Sequence, residues 1–136
     1  MKQYLAHIAV VVDDYDAAID FYAGKLKFTV VEDTVLSETK RWVIVAPPGS
    51  NASQNGSCFL LLAKAATDEQ KSRIGNQTGG RVFLFLFTDD FWRDYKYMNE
   101  TGISFVREPM KESYGTVAVF KDLYGNLWDL IEPSTG

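Results

Sequence analysis

The sequence contains one cysteine and one histidine, and these two shortages exclude several kinds of site. The lone Cys58 cannot form an internal disulfide bond, and zinc sites of the zinc-finger type need more ligands of these two types than the chain provides. We therefore expect a reducing, cytoplasmic location. Cys58 begins an apolar segment and has no cationic neighbour in the sequence, so we interpret it as a buried thiol rather than a nucleophile.

Long hydrophobic runs and clustered positive charge are also missing. No apolar run approaches the roughly 20 residues that a membrane-spanning helix needs. The N-terminal segment alternates as a strand does and lacks the cleavage site of a signal peptide. The net charge is -4 and the lysines and arginines are scattered, which argues against nucleic acid as a partner. We expect a small molecule or a second copy of the chain as the partner, and no membrane.

The sequence contains the same structural unit twice. A short apolar strand runs into paired aspartates and then into an aromatic-bearing helix, first at His7 to Phe28 and again at Phe83 to Phe105. With Asp13 placed on Asp89, the two copies agree without a gap through the strand and the helix start. A chain of 136 residues has room for one domain, or for two small halves that share one core. We predict a single domain, residues 1–136, with an internally duplicated fold.

The first half, residues 4–64, predicts the order βαβββ. Its first strand is predicted at Tyr4 to Val12, with His7 on the less apolar of the two faces. A helix with one apolar stripe follows, capped by Asp13 or Asp14 and stopped at Gly24. The other strands are predicted at Phe28 to Leu36, Arg41 to Ala46 and Cys58 to Ala63, with the loop PPGSNASQNG before the last.

The second half, residues 81–133, repeats this order after a polar connector, residues 65–80, that is predicted to hold one helical turn. A strand at Val82 to Phe87 precedes a helix that starts at Asp90, is capped by Asp89 and ends at Gly102. We interpret the doubled aspartates as helix caps rather than as catalytic pairs. The last strands are predicted at Ile103 to Arg107, Gly115 to Lys121 and Leu127 to Glu132.

Three segments carry a resemblance to a known family: HIAVVVDDYDAAIDFYAGKLKF, RWVIVAPPG and YGTVAVFKDLYGNLWDLIEP. Together they resemble the vicinal oxygen chelate superfamily, which includes glyoxalase I, bleomycin resistance proteins and extradiol dioxygenases. The resemblance covers almost the whole chain and departs at Leu123, where the family usually has proline. It implies an α+β fold in which two βαβββ units form a cupped mixed sheet around a cavity. It also implies a homodimer.

The resemblance implies a divalent metal held by one residue from the first and the last strand of each unit. His7 and Asp129 match two of these positions, whereas Phe83 and the segment Leu60 to Leu62 occupy the others and cannot ligate a metal. Zinc sites use three or four protein ligands, so two would hold zinc, nickel, manganese or iron weakly. The iron site of a dioxygenase needs two histidines, which makes that activity improbable unless subunits share residues. We expect no tightly bound cofactor.

Asp129 is the candidate catalytic residue. It lies between Trp128 and Leu130 in an otherwise apolar strand, so its side chain should point away from theirs and toward the expected cavity. A carboxylate there is costly unless it is paired or solvated. In a purely structural role, Asp129 would pair with Arg41 or His7, and His7 would satisfy a buried hydrogen bond without binding a ligand.

Aromatic side chains supply most of the candidate ligand contacts. Phe83, Phe85 and Phe87 alternate along one strand and should share a face, which either lines the cavity or packs in an aromatic core. Arg41 could bind an anionic ligand, and exposed charge or ordinary packing is the alternative. The ligand-binding candidates are His7, Arg41, Trp42, Phe83, Phe85 and Tyr114.

Two functions remain open on this basis. The first is a protein of the bleomycin-resistance kind, which binds a small molecule in an aromatic cavity without a tight metal, and Phe83 at a ligand position favours it. The second is a divalent-metal-dependent lyase or isomerase of the glyoxalase I type, which would use His7 and Asp129. Whether the protein is an enzyme stays undecided by the sequence.

Overall fold

The computed structural model describes residues 1–50 and 58–134, and the chain divides into two compact units, Met1–Ile74 and Gly75–Gly136. Each unit has its own four-stranded mixed sheet. The predicted α+β fold with two βαβββ units is therefore confirmed. The loop PPGSNASQNG continues into residues 51–57, which lie outside the described residues. No helix in the described ranges is long and apolar enough to cross a membrane.

The first unit has the strand order β1-β4-β3-β2, in which β1 and β4 are parallel and the other neighbours antiparallel. Residues Tyr4 to Ala6, which were predicted to belong to the first strand, precede it. The connector holds the predicted helical turn as α2. The elements are β1 (His7–Val12), α1 (Tyr15–Ile19), a π-helical turn (Asp20–Lys25), β2 (Thr29–Val35), β3 (Arg41–Ala46), β4 (Phe59–Lys64) and α2 (Asp68–Ser72).

The helical segment of the first unit begins as predicted but ends later. Asp14 caps α1, because its carboxylate accepts a hydrogen bond from the Ala17 amide at 2.8 Å. The prediction that Gly24 stops the helix is wrong, since the chain continues as a π-helical turn in which the Leu26 amide donates to the Phe21 carbonyl. The apolar stripe continues past Gly24 and is buried throughout, at Ala18, Phe21, Tyr22 and Leu26.

The second unit has the strand order β5-β8-β7-β6, with β5 parallel to β8. Its helix is capped by Asp90, whose carboxylate accepts from the Arg93 amide, and not by Asp89 as predicted. Asp89 instead forms an ion pair with Arg93 at 2.8 Å. Gly102 follows the helix with φ of 87°. The elements are β5 (Val82–Phe87), α3 (Phe91–Glu100), β6 (Phe105–Glu112), β7 (Gly115–Lys121) and β8 (Leu127–Pro133).

Aromatic packing fixes α3 on one face of the second sheet. The ring centroid of Tyr95 on α3 lies 4.6 Å from that of Phe105, and the ring centroid of Phe105 lies 5.9 Å from that of Phe120. Phe120 stacks on Trp128 at 5.6 Å, and both side chains are buried. Each such side chain contributes about 1.5–3 kcal/mol by leaving water. The α3 side of this sheet is thus its packed core.

The turn between β7 and β8 is organised by Asp122. Its Oδ1 accepts hydrogen bonds from the amides of Tyr124, Gly125 and Asn126 at 2.9–3.0 Å, and its Oδ2 accepts one from the Asn126 side chain. Asp122 and Asn126 are both buried. These bonds hold the turn that contains Leu123, where the resemblance would place a proline.

Candidate functional site

Asp129 lies on the face of the second sheet that is turned away from the α3 side. It pairs with Phe85 on β5 and with Val119 on β7, and directly paired residues project from the same face of a sheet. Its chain neighbours Trp128 and Leu130 are buried on the other face. The observed alternation therefore matches the one expected from the sequence.

A second row of side chains lies beside the first and is apolar. Phe87 pairs with Ile131, Ile131 with Val117, and Val117 with Met110. The exposed fractions are 60% for Phe85, 64% for Phe87 and 45% for Met110, which are large for apolar side chains. We call the surface formed by Phe85, Phe87, Asp129 and Ile131 the β5–β8 face.

Phe83 does not follow the alternation that was expected for the phenylalanine row. Val82 pairs with Leu127, and the next pair is Leu84 with Trp128. The step between these pairs is therefore two residues on β5 but one residue on β8. Phe83 is the extra residue of this bulge. The two-residue period is interrupted there, and we do not include Phe83 in the β5–β8 face.

The environment of the Asp129 carboxyl is unusual for a charged group. Its Oδ1 is buried and has no hydrogen-bond partner within the described part of the chain. Burial raises the pKa of Asp129 above its ordinary value, and the positive charge of Arg107 opposes this to a smaller extent. Arg107 is exposed and pairs with Val119, so it belongs to the same row across the sheet.

The first unit places His7 and Trp42 together on one face of its own sheet. Their ring centroids are 6.2 Å apart in an edge-to-face arrangement. His7 pairs with Phe59, and the next pair on that face is Ala9 with Leu61. Phe59 and Leu61, the β4 residues that this register places on the His7 face, cannot ligate a metal. Trp42 also packs against a buried apolar cluster of Ile44, Ala46 and Phe59.

Arg41 does not share a face of the first sheet with the neighbouring candidate Trp42. Alternation along β3 directs it away from the Trp42 face, and its guanidinium pairs with Asp33 at 2.7 Å and Asp16 at 2.9 Å. Arg41 holds the pKa of Asp33 below its usual value, chiefly through their hydrogen bonds. The guanidinium also lies 5.3 Å from the centre of the Tyr15 ring. Because its charge is compensated locally, we assign Arg41 no anion-binding role.

Tyr114 is likewise outside the β5–β8 face. It is exposed in the turn between β6 and β7, where its carbonyl accepts a hydrogen bond from the Ser134 amide at 3.0 Å. The following Gly115 has φ of 152°, and a Cβ there would lie 2.3 Å from the Glu132 carbonyl oxygen. Close backbone packing thus accounts for the glycine of the Tyr114-Gly115 pair.

The described residues do not suit a tightly held metal ion. No group of three or more His, Cys, Asp or Glu side chains that could hold one occurs in residues 1–50 and 58–134. Each candidate donor has apolar cross-strand neighbours, Phe59 for His7, and Phe85 and Val119 for Asp129. Protein zinc sites use three or four ligands. We therefore derive no chemical step that passes through a metal.

Two residues beside the site, Met110 and Arg107, were not predicted from the sequence. Both lie on β6, whose pairing with β7 shifts register between Phe105 and Arg107 and again between Arg107 and Met110. Alternation along β6 alone therefore could not place them. Cys58, by contrast, is partly buried, and burial raises the pKa of its thiol, which disfavours a nucleophilic thiolate.

Fold and sequence comparisons agree on one family. The family model described as the Glyoxalase/Bleomycin resistance protein/Dioxygenase superfamily matches residues 4–130, and the chain belongs to this superfamily. An uncharacterized protein of Shewanella frigidimarina (strain NCIMB 400) is 63% identical over 133 residues, which cover 97% of this chain and 95% of that protein.

Two solved structures show the same architecture. A member of the superfamily from Sphaerobacter thermophilus DSM 20745 has a TM-score of 0.77 and 27% identity, with 96% of this chain and 98% of that chain covered. TnmS3 from Streptomyces sp. CB03234, which is described as an antibiotic binding protein, has a TM-score of 0.75 and 27% identity, with 98% of each chain covered. The superfamily that the sequence resembles is thereby confirmed.

Proposed function

We propose that this protein binds a small, largely apolar molecule against the β5–β8 face and that it does so without a tightly bound metal ion. The observation that carries the proposal is the juxtaposition of two exposed rings, Phe85 and Phe87, with the partly buried carboxyl of Asp129. Small-molecule sites typically combine apolar and aromatic surface with a few polar groups that fix orientation.

The apolar part of this surface supplies the affinity in our proposal. Water is displaced from the two rings when a ligand covers them, and each square ångström of buried apolar surface contributes about 25 cal/mol. Ile131 lies beside Phe87 on the neighbouring strand and is buried, so it adds apolar surface to the same face. The description of TnmS3 as an antibiotic binding protein supports the same class of function.

The metal-free part of the proposal rests on the donors that each unit offers. The resemblance places the other two ligand positions at Phe83 and within Leu60 to Leu62, which leaves His7 in one unit and Asp129 in the other. Ligand number largely sets affinity for a divalent ion, so stable binding is not expected.

The first experiment is calorimetric titration of tryptophol, a neutral indole alcohol, into chelator-treated protein. We expect saturable binding to the wild type and about tenfold weaker binding to Phe85→Ala, because the variant loses most of one ring's contact surface. Trp92→Ala is the matched control, since Trp92 on α3 has the same exposed fraction of 60%. Equal losses in both variants, or failure of tryptophol and of its charged analogues alike to bind the wild type, would overturn the proposed site.

The second experiment tests the metal-free claim directly. Elemental analysis of the purified protein is followed by titration of zinc, nickel, manganese and iron into chelator-treated wild type and His7→Ala. We expect substoichiometric metal and no difference between the two proteins. One tightly bound ion per chain that is lost in the His7→Ala variant would favour the glyoxalase-type lyase or isomerase instead.

We also propose that the protein forms a homodimer. β1 ends the strand order of the first sheet, and the preceding Tyr4 and Leu5 side chains are exposed. An edge strand with apolar neighbours is a common pairing surface between copies of one chain. Light scattering coupled to gel filtration should give the mass of two chains, whereas the mass of one chain would refute the dimer.

A further inference from the structure

The carboxyl of Asp129 is incompletely satisfied by the protein. Its Oδ1 is buried and accepts no hydrogen bond from the described residues, while its cross-strand neighbours Phe85 and Val119 have no polar side-chain atoms to offer. A carboxylate oxygen in such surroundings costs free energy unless a partner of opposite charge or a hydrogen-bond donor reaches it. A cationic donor from outside the sheet would offset this cost.

We infer that the ligand of the β5–β8 face is an organic cation, with an ammonium group that donates to Asp129 and an apolar body that covers the rings of Phe85 and Phe87. This inference rests on the proposed function and specifies the class of ligand. The ammonium compensates the carboxylate charge of Asp129, whose side chain is only partly buried, and its N–H groups donate to that carboxylate. Aromatic faces also attract cations through their quadrupole, so the rings add to the same preference.

An organic ammonium suits this position better than a metal ion does. A divalent ion requires several oxygen or nitrogen ligands, whereas an ammonium is held by one carboxylate together with aromatic surface. Phe85 and Val119 flank Asp129 on both sides and leave the carboxylate as the single ionisable group in its immediate cross-strand pairs. Arg107 is exposed and lies one strand further along the row, and its positive charge affects Asp129 less than burial does.

The decisive comparison uses three probes with one ring system and different charges. Tryptamine is cationic at neutral pH, tryptophol is neutral and indoleacetate is anionic. We expect wild-type protein to bind tryptamine about tenfold more tightly than tryptophol, as one charge-assisted hydrogen bond would produce, and to bind indoleacetate most weakly. In Asp129→Asn, tryptamine should lose this advantage while tryptophol affinity stays within about twofold.

A matched control separates local recognition from general attraction by an acidic protein. Asp68→Asn removes the same charge from the exposed first turn of α2 and should leave the tryptamine preference unchanged. If Asp129→Asn does not fold, the order of the three probes on the wild type still tests the inference. Equal affinity for tryptamine and tryptophol, or tightest binding of indoleacetate, would refute the cationic ligand but leave the proposed binding face intact. Failure of all three probes to bind would refute both.

Discussion

Phe85 and Asp129 are direct partners in the parallel pairing of β5 with β8, so an exposed ring and a partly buried carboxyl project side by side from one face of the second sheet. The opposite face of the same strands carries Trp128 and Leu130, which are buried. The α3 face of these strands is packed, whereas the other face presents the exposed Phe85 ring and one acidic group beside the buried Ile131. The exposed ring of Phe85 is thereby separated from the packed α3 side of the sheet.

This separation predicts opposite consequences for two phenylalanine substitutions. Phe120→Ala removes a buried ring that contacts both Phe105 and Trp128, and it should lower the free energy of unfolding by about 3–5 kcal/mol. Phe85→Ala should change it by less than about 1 kcal/mol, because the Phe85 side chain is mostly exposed. Urea unfolding of both variants measures the difference, and similar losses would contradict the assignment of the two faces.

The turn between β7 and β8 should depend on an acceptor at position 122. Asp122→Ala leaves the amides of Tyr124, Gly125 and Asn126 without their shared acceptor, and we expect a loss of about 3 kcal/mol or more in stability. Asp122→Asn retains one side-chain oxygen and serves as the control. Chemical denaturation should therefore place Asp122→Asn between the wild type and Asp122→Ala. An Asp122→Ala variant as stable as the wild type would show that the turn does not need these bonds.

The pairing of Arg41 with Asp33 should be visible in the titration of Asp33. The pKa of Asp33 is lowered from 3.8 by its hydrogen bonds to Arg41, so Arg41→Met should raise it toward that value in an NMR titration. A depressed folded-state pKa stabilises the protein above the unfolded pKa, and this contribution is lost as pH falls through the folded pKa. The stability difference between wild type and variant should thus shrink in acid.

Solvent limits the size of the Arg41 effect. Asp33 and Asp16 are exposed partners, and such ion pairs contribute less than about 1 kcal/mol each. Asp13→Asn, which alters an exposed carboxylate before α1, is a suitable control for general charge effects. An unchanged Asp33 titration in Arg41→Met would show that the two side chains are not paired in solution.

Much of the fold was predictable because local rules determine it. Three strands have the predicted bounds, since polar turns flank apolar runs there: Arg41–Ala46, Val82–Phe87 and Gly115–Lys121. Gly24 was misassigned because burial of the stripe around Phe21 and Leu26 outweighs the helix-stopping tendency of glycine. The shared cavity remains a prediction from the resemblance.

The candidate site was less predictable because it depends on pairing between distant segments. The bulge that removes Phe83 from its row adds a residue without any mark in composition. Arg41 was predicted to bind an anionic ligand, but only folding brings Asp16 and Asp33 to its guanidinium. Asp129 and Phe85 were both predicted as site residues, yet their direct pairing follows from the β5–β8 register alone.

The most direct test of metal-free binding on the β5–β8 face is an amide NMR titration of chelator-treated protein with tryptophol. We predict saturable shifts centred on Phe85, Phe87 and Ile131, with little change along α3, and the same shifts after one equivalent of zinc is added. Shifts that appear only when zinc is present, or that are centred on another surface, would contradict this account.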